Sequence, residues 1–240
     1  MSLELSIVLP VYNEGPAVVP LLLRLAAVAP GPNEIIVVYD FDEDTTVAPV
    51  RALTPELPGL RLLRNDLGRG VLNAIKAGIA DSHGTFVLVT MADGSDEPTD
   101  IEPMLERGRA GADVVAASRY MRGGRQVGGP RLKGLLSRAA GLSLHWLGSV
   151  PIHDPTSNFK LYRRSFLDAT PIESTAGFEL ALELTVKATL GSRRLAEVPT
   201  TWRDRTSGQS NFKLRKWLPH YVHWYIVAFR GRLRRRPRAA

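Results

Sequence analysis

The stretch Phe86-Val-Leu-Val-Thr-Met-Ala-Asp93-Gly-Ser-Asp96-Glu97-Pro98 decides how this chain is read. Its apolar run, from Phe86 to Val89, does not alternate. Such a run reads as a strand buried on both faces, as in a parallel sheet. Open sheets of that kind bind ligands beyond the carboxyl ends of their strands. Acids gathered there can hold a hard cation, and the cation can hold a diphosphate. The same residues also fit a polar turn in which Asp96 or Thr99 caps the following helix. The neighbouring sequence has to separate the two readings.

Strand-like and helix-like segments alternate around this stretch, which predicts an α/β domain with a mainly parallel sheet flanked by helices. Residues 5–10, 34–40, 61–64, 85–91 and 113–117 read as strands. Residues 17–27, 70–80 and 101–109 read as helices, the second with Val71, Ile75 and Ile79 on one face. Residues 120–130 are rich in Gly and Arg and predict a mobile loop. Beyond them a helix is expected over 132–147, a strand over 158–162, a helix over 177–190 and a strand over 194–198. Residues 203–213 read as another loop.

The composition narrows the chemistry. A chain of 240 residues that is 44% hydrophobic can bury one sizeable core. It has no cysteine, which excludes disulfides, thiolate catalysis and zinc–sulfur sites. The chain enters a strand pattern at once, without a basic then apolar leader, so a cytoplasmic protein is expected. The net charge is +7, and the excess is uneven. From Lys213 onward there is no Asp or Glu, while Lys213, Arg215, Lys216, Arg230, Arg232, Arg234, Arg235, Arg236 and Arg238 all fall there. Such a segment suits an anionic membrane surface, nucleic acid or a phosphorylated ligand. No recognised nucleic-acid module accompanies it, so no nucleic-acid partner is expected.

Three loops that follow strands carry acids: Pro10-Val-Tyr-Asn-Glu14, Asp40 with Asp42, Glu43 and Asp44, and Asp93. A site for phosphate alone would call for glycine, lysine and backbone N–H groups. Acids suggest hydrogen bonds to a base or ribose, together with a metal that screens phosphate charge.

In order and spacing, Pro10-Val-Tyr-Asn-Glu14, Val38-Tyr-Asp40-Phe-Asp42-Glu-Asp44-Thr and Ala92-Asp93 resemble the serial motifs of family 2 glycosyltransferases, which have the GT-A fold. Further along, Gly68-Arg-Gly70-Val-Leu-Asn-Ala74, Ser118-Arg119-Tyr120, Asp154-Pro-Thr-Ser-Asn-Phe-Lys160 and Arg205-Thr-Ser-Gly208-Gln-Ser210 resemble the dolichol-phosphate mannose synthases among them. The resemblance runs to about Lys213. It implies a GT-A domain over 1–212 that transfers a hexose, with inversion, from a nucleotide-sugar of the GDP-mannose or UDP-glucose type to a polyprenyl phosphate. It implies that Pro10, Tyr12, Glu14 and Asp40 contact the nucleotide. Asp93 matches the second acid of the DxD metal motif. Arg119, Arg138, Arg205 and Ser210 match positions around the acceptor phosphate and diphosphate, and Lys213 is a further cation nearby.

The departures are specific. Met91 replaces the first acid of the DxD motif, and methionine is a poor ligand for a hard cation. Ser95 stands where the family has Gln. Tyr39 replaces the first acid of the usual Asp-Asp-Gly-Ser motif. Asp93 with Asp96 is therefore the expected ligand pair for Mg²⁺ or Mn²⁺, completed by diphosphate and water.

The acceptor sets the mechanism. A sugar hydroxyl needs a general base, for which Asp154 and Glu179 are the candidates. A polyprenyl monophosphate is already anionic and needs cations instead, supplied by Arg119, Arg205 and Lys213. The glycine-rich loop over 121–131 is a candidate lid. Transfer to a saccharide hydroxyl is one alternative. A nucleotide-sugar-binding protein without catalysis, suggested by Met91, is the other.

Residues 213–240 are expected to form a separate basic, aromatic segment. If helical, it places Trp217, Tyr221, Trp224, Tyr225 and Ala228 on one face. It is too short in apolar residues to span a bilayer, and its basic flanks suit a helix lying at the cytoplasmic face of a membrane. An amphipathic helix packed on the domain is the alternative. A membrane-protein partner or a homo-oligomer is compatible with either.

Overall fold

Phe86–Val89 is a strand, and all four residues are buried. The computed structural model describes residues 3–129, 131–204 and 214–235, the side chains of 131–133, 214–217 and 233–235 excepted. The strands are β1 (Leu5–Pro10), β2 (Asn33–Tyr39), β3 (Leu60–Arg64), β4 (Phe86–Val89), β5 (Val114–Ser118), β6 (Arg125–Val127), β7 (Lys160–Arg163), β8 (Leu195–Pro199) and β9 (Thr201–Arg203). The helices are α1 (Val19–Val28), α2 (Val47–Leu53), α3 (Val71–Asp81), α4 (Ile101–Arg109), α5 (Arg131–Trp146), α6 (Arg164–Asp168), α7 (Leu180–Leu190) and α8 (Leu214–Arg235).

Seven strands form one sheet in the order β3-β2-β1-β4-β7-β5-β8. All its pairings are parallel except those of β7, which runs against both β4 and β5. The alternation of side chains explains why β4 is apolar throughout and β1 nearly so, its buried Ser6 donating to Glu34 at 2.6 Å. Leu5, Ile7, Leu9 and Leu88 point into a core shared with Leu22, Ile101 and Leu105. Val8, Val87 and Val89 point into the opposite core, shared with Ile75, Ile79 and Leu184. Burying each such side chain is worth roughly 1.5–3 kcal/mol, so neither face of the sheet could be left in water. Gly78 lets α3 approach the sheet closely, since a Cβ there would lie 2.4 Å from Val8 Cγ1.

Two expectations change. The expected mobile loop over 120–130 is in part a strand: β6 pairs with β9, and Arg125 N–H donates to Thr200 O at 2.8 Å. A run of only three residues between glycines gives no periodicity to read. The second change concerns α8. Its Trp224 is 5% exposed and its Ala228 2%, both packed in a cluster with Leu144, Val150, Leu182 and Val186. Lys187 Nζ lies 5.3 Å from the Trp224 ring centroid. The inward face of α8 is therefore the aromatic face read from the sequence. Trp217 lies outside the described side chains. No helix among the described residues is long and apolar enough to cross a membrane.

Candidate active site

Strands β2, β1 and β4 are neighbours, so their carboxyl ends bring the three acidic loops together. Pro10 ends β1 in a buried position, and Tyr12, just beyond it, is 54% exposed. The loop is fixed by its own polar groups. Asn13 takes φ 55° and donates its backbone N–H to Asp44 at 2.9 Å, while its side-chain Oδ1 accepts from Thr45 N–H at 3.1 Å. Glu14 N–H donates to the Thr46 hydroxyl at 2.9 Å. Asp44 is buried and also accepts from Thr46 N–H at 2.8 Å. It locks the loop rather than facing a ligand.

Asp40 is held from two sides. Asn65 Nδ2 donates to one oxygen at 2.7 Å, and Gly70 N–H donates to the other at 2.8 Å. Gly70 opens α3 at φ +130°, a conformation that side-chain-bearing residues rarely adopt. The Tyr12 and Phe41 rings meet edge to face with centroids 5.8 Å apart, and the Arg69 guanidinium lies 4.7 Å over Phe41. Phe41, Asn65 and Arg69 escaped the sequence reading. Phe41 stands at the glycine of the usual motif, and Asn65 directly follows β3. Their places at strand ends were the available signal.

In the third loop Asp93 accepts from Ser95 N–H at 3.1 Å, and the half-buried Asp96 accepts from the Thr90 hydroxyl at 2.9 Å. Asp96 does not cap α4, whose N-cap residue is Asp100 and makes no side-chain cap hydrogen bond. Burial, and then the charge of Asp93, push the Asp96 carboxyl up to about 7, against the pull of Thr90, the Met91 N–H and the charge of Arg119. Two carboxylates that repel in this way form a hard-oxygen pair that a divalent cation would relieve. The pair fits Mg²⁺ or Mn²⁺ bound through one or two carboxylates, with phosphate and water supplying the other ligands. No group of three potential ligands gathers among the described residues.

Arg119, at the end of β5, is paired with Asp154. Its Nε and Nη2 donate at 2.7 and 3.0 Å, and its backbone N–H donates at 3.2 Å. Burial alone would raise the Asp154 carboxyl, but the charge and hydrogen bonds of Arg119 hold it below the usual range. Lys160, fully buried beside them, donates to Pro155 O at 2.9 Å and to Ser157 O, and burial lowers its pKa to about 7.

The sequence model of glycosyl transferase family 2 matches residues 6–170. The chain belongs to glycosyl transferase family 2. It is 31% identical over 240 residues to a polyprenol monophosphomannose synthase of Mycolicibacterium smegmatis, covering 95% of this chain and 88% of that one. It is 26% identical over 241 residues to a dolichol-phosphate mannosyltransferase of Pyrococcus furiosus, covering 97% of this chain and 66% of that one. Among solved structures, glucosyl-3-phosphoglycerate synthase of Mycobacterium tuberculosis with phosphoglyceric acid superposes with TM-score 0.70 at 18% identity, over 94% of this chain and 79% of that one. The same enzyme with Mn²⁺, uridine diphosphate and phosphoglyceric acid gives TM-score 0.66 at 19% identity, over 95% and 78%. The fold is GT-A.

In this family 2 glycosyltransferase the two residues considered as general bases are both engaged. Asp154 is held by Arg119. Glu179 is 1% exposed and accepts from Ala176 N–H at 2.8 Å and Gly177 N–H at 2.7 Å, closing the turn before α7. Arg138 is exposed on α5. Arg205, Ser210 and Lys213 lie outside the described residues.

Proposed function

We propose that this glycosyltransferase moves a hexose from a nucleotide-sugar to a polyprenyl monophosphate at the cytoplasmic face of a membrane, inverting the anomeric centre. The single observation that carries this reading is the state of its carboxylates. Both candidate bases are consumed by structural hydrogen bonds, while a guanidinium stands within electrostatic reach of the Asp93–Asp96 pair. That arrangement suits an acceptor that arrives anionic. The relatives named for polyprenyl- and dolichyl-phosphate mannosyl transfer support it. The neighbour with Mn²⁺ and uridine diphosphate supports the nucleotide-sugar and the divalent ion.

Tyr12, Phe41 and Arg69 form a shelf for the base, and Asp40, oriented by Asn65 and Gly70, accepts hydrogen bonds from base or ribose. Asp93 and Asp96 would hold the divalent cation, which when bound screens the donor diphosphate and stabilises it as a leaving group. A monophosphate ester has its second pKa near ~6, so its oxygen needs no deprotonation at neutral pH. That oxygen forms the bond to the anomeric carbon while the bond to the diphosphate oxygen breaks. The nucleoside diphosphate leaves with the electron pair. Arg119 offsets the repulsion between the two anions, and Asp154 fixes its direction. Arg138, Arg205, Ser210 and Lys213 are proposed to complete the acceptor phosphate site.

A panel of GDP- and UDP-sugars with a short polyprenyl phosphate, read as released nucleotide, tests this. Metal-dependent release with one donor, requiring the acceptor, is the expected result. Binding of a donor without turnover under any condition would favour the alternative raised by Met91, a nucleotide-sugar-binding protein.

A further inference from the structure

Two charged side chains lie in one row across the sheet, on either side of β5. Ala116 of β5 is in register with Lys160 of β7 and with Glu197 of β8. Lys160 is fully buried, and the side chain of Glu197 is only 11% exposed. A charge withdrawn from water is costly unless it is paired or fully hydrogen-bonded. Leu161, the next residue of β7, is as deeply buried and is apolar, so the strand itself does not call for a lysine. Both charged groups reach the same stretch of chain, residues 153–157.

That stretch is anchored at alternate residues. The His153 N–H donates to one oxygen of Glu197 at 2.9 Å, and the imidazole Nδ1 is bonded to the other. Lys160 Nζ donates to the carbonyl of Pro155 at 2.9 Å and to that of Ser157. Buried carbonyls left without a donor would be destabilising, and the lysine supplies both. The residues in between hold one another and Arg119. Asp154 accepts from the Arg119 guanidinium, and the Thr156 hydroxyl donates to Asp154 at 3.3 Å. Helix α5 packs on the stretch at Gly141, where a Cβ would lie 2.6 Å from the His153 carbonyl.

We propose that Lys160 and Glu197 are positioning residues for the Arg119 guanidinium, acting through residues 153–157 and the carboxylate of Asp154. Glu197 holds the stretch from the β8 side and Lys160 from the β7 side. Asp154 is thereby set opposite the end of β5, where it fixes the direction of Arg119. The consequence for transfer rests on the proposed function, in which Arg119 faces the acceptor phosphate. The positioning itself does not depend on that reading.

Lys160→Met and Glu197→Ala test it in the full chain, beside Arg119→Lys, each below its own unfolding midpoint. One measurement is solvent exchange of the Arg119 Nε–H, whose resonance is identified by its absence in Arg119→Lys. The others are nucleoside diphosphate affinity with Mn²⁺ and kinetics with a short polyprenyl phosphate. Wild type is expected to exchange this proton slowly, because a buried carboxylate accepts it. Each variant is expected to exchange it at least about tenfold faster, with nucleotide affinity unchanged. Acceptor kcat/KM should fall on the order of 10–100-fold, as for a group displaced by about 1 Å. In the Arg119→Lys background the same substitutions should lower it by less than about threefold further, since their effect runs through the guanidinium. Glu197→Gln keeps an acceptor for the His153 N–H, is expected to fall between, and carries the test if the other two do not fold. Unchanged exchange in the folded variants would overturn the positioning, and so would full additivity with Arg119→Lys. Faster exchange with wild-type acceptor kinetics would leave the positioning standing and sink Arg119 as a group that faces the acceptor.

Discussion

Asp154 accepts three hydrogen bonds from Arg119, at 2.7, 3.0 and 3.2 Å, and its carboxylate is fully buried. One of the three comes from the backbone of Arg119, so the pair fixes the end of β5 as well as the guanidinium. Asp154→Asn would leave a largely buried arginine without its counter-charge. Breaking such a pair from one side costs about 3–5 kcal/mol. Urea unfolding is expected to show a loss of that order. Replacing both residues by apolar ones should recover part of the stability but none of the activity.

Asp93 and Asp96 are expected to separate by function rather than by stability. Asp93→Ala should lower kcat/KM by on the order of 10³-fold, since Lewis-acid stabilisation of a leaving group is worth several kcal/mol. Its unfolding midpoint should hold or rise, because the repulsion between the two carboxylates is gone. Nucleotide titration with Mn²⁺ and with EDTA is the companion measurement. Equal affinity in both would contradict a metal held by this pair.

Tyr12→Ala and Phe41→Gly should each weaken nucleoside diphosphate binding by roughly 1–3 kcal/mol, the range for losing one base–aromatic stack. Pyrophosphate binding in the presence of metal should be unaffected. Calorimetry on both ligands separates the shelf from the metal site.

Glu34 gives the pH dependence of stability. It is 6% exposed and accepts from the Ser6 hydroxyl, His83 N–H and Arg61. Burial opposes ionisation, but these partners outweigh it and bring the carboxyl below 4.5. With the folded pKa below the unfolded one, the unfolded state binds more protons on acidification. The contribution is therefore complete above 4.5 and fades as pH falls through the folded value. Glu34→Gln should be less stable than wild type at pH 7 and should lose less on acidification, as read from urea midpoints at a series of pH values.

Glu179→Gln distinguishes a cap from a catalytic base. Glu179 satisfies two backbone N–H groups ahead of α7, so the substitution should lower the unfolding midpoint. The pH profile of kcat should keep its shape. A profile that lost its acidic limb, where a general base is protonated, would point to a hydroxyl acceptor.

The sheet was legible in the sequence because doubly buried strands leave few polar positions. Phe86 to Val89 has none and Leu5 to Leu9 only Ser6, and the loops at their ends followed. Asp40 and Asp93 were legible for the same reason. The partners of Asp40 were not, because Asn65 and Gly70 lie 25 and 30 residues away and meet it only through the order of the strands. The side of α8 that meets the protein was not legible for a different reason. Aromatic and aliphatic stripes occupy opposite sides of one helix, and amphipathicity does not say which side meets the protein. That answer came from Leu182 and Val186 on α7.

The central claim is that the acceptor is an anion that needs no base. One donor, offered at once to a short polyprenyl phosphate and to a saccharide in the presence of Mn²⁺, tests it by mass spectrometry of the products. The account predicts a glycosyl phosphodiester and an unmodified saccharide. A glycosylated saccharide beside untouched polyprenyl phosphate would contradict it.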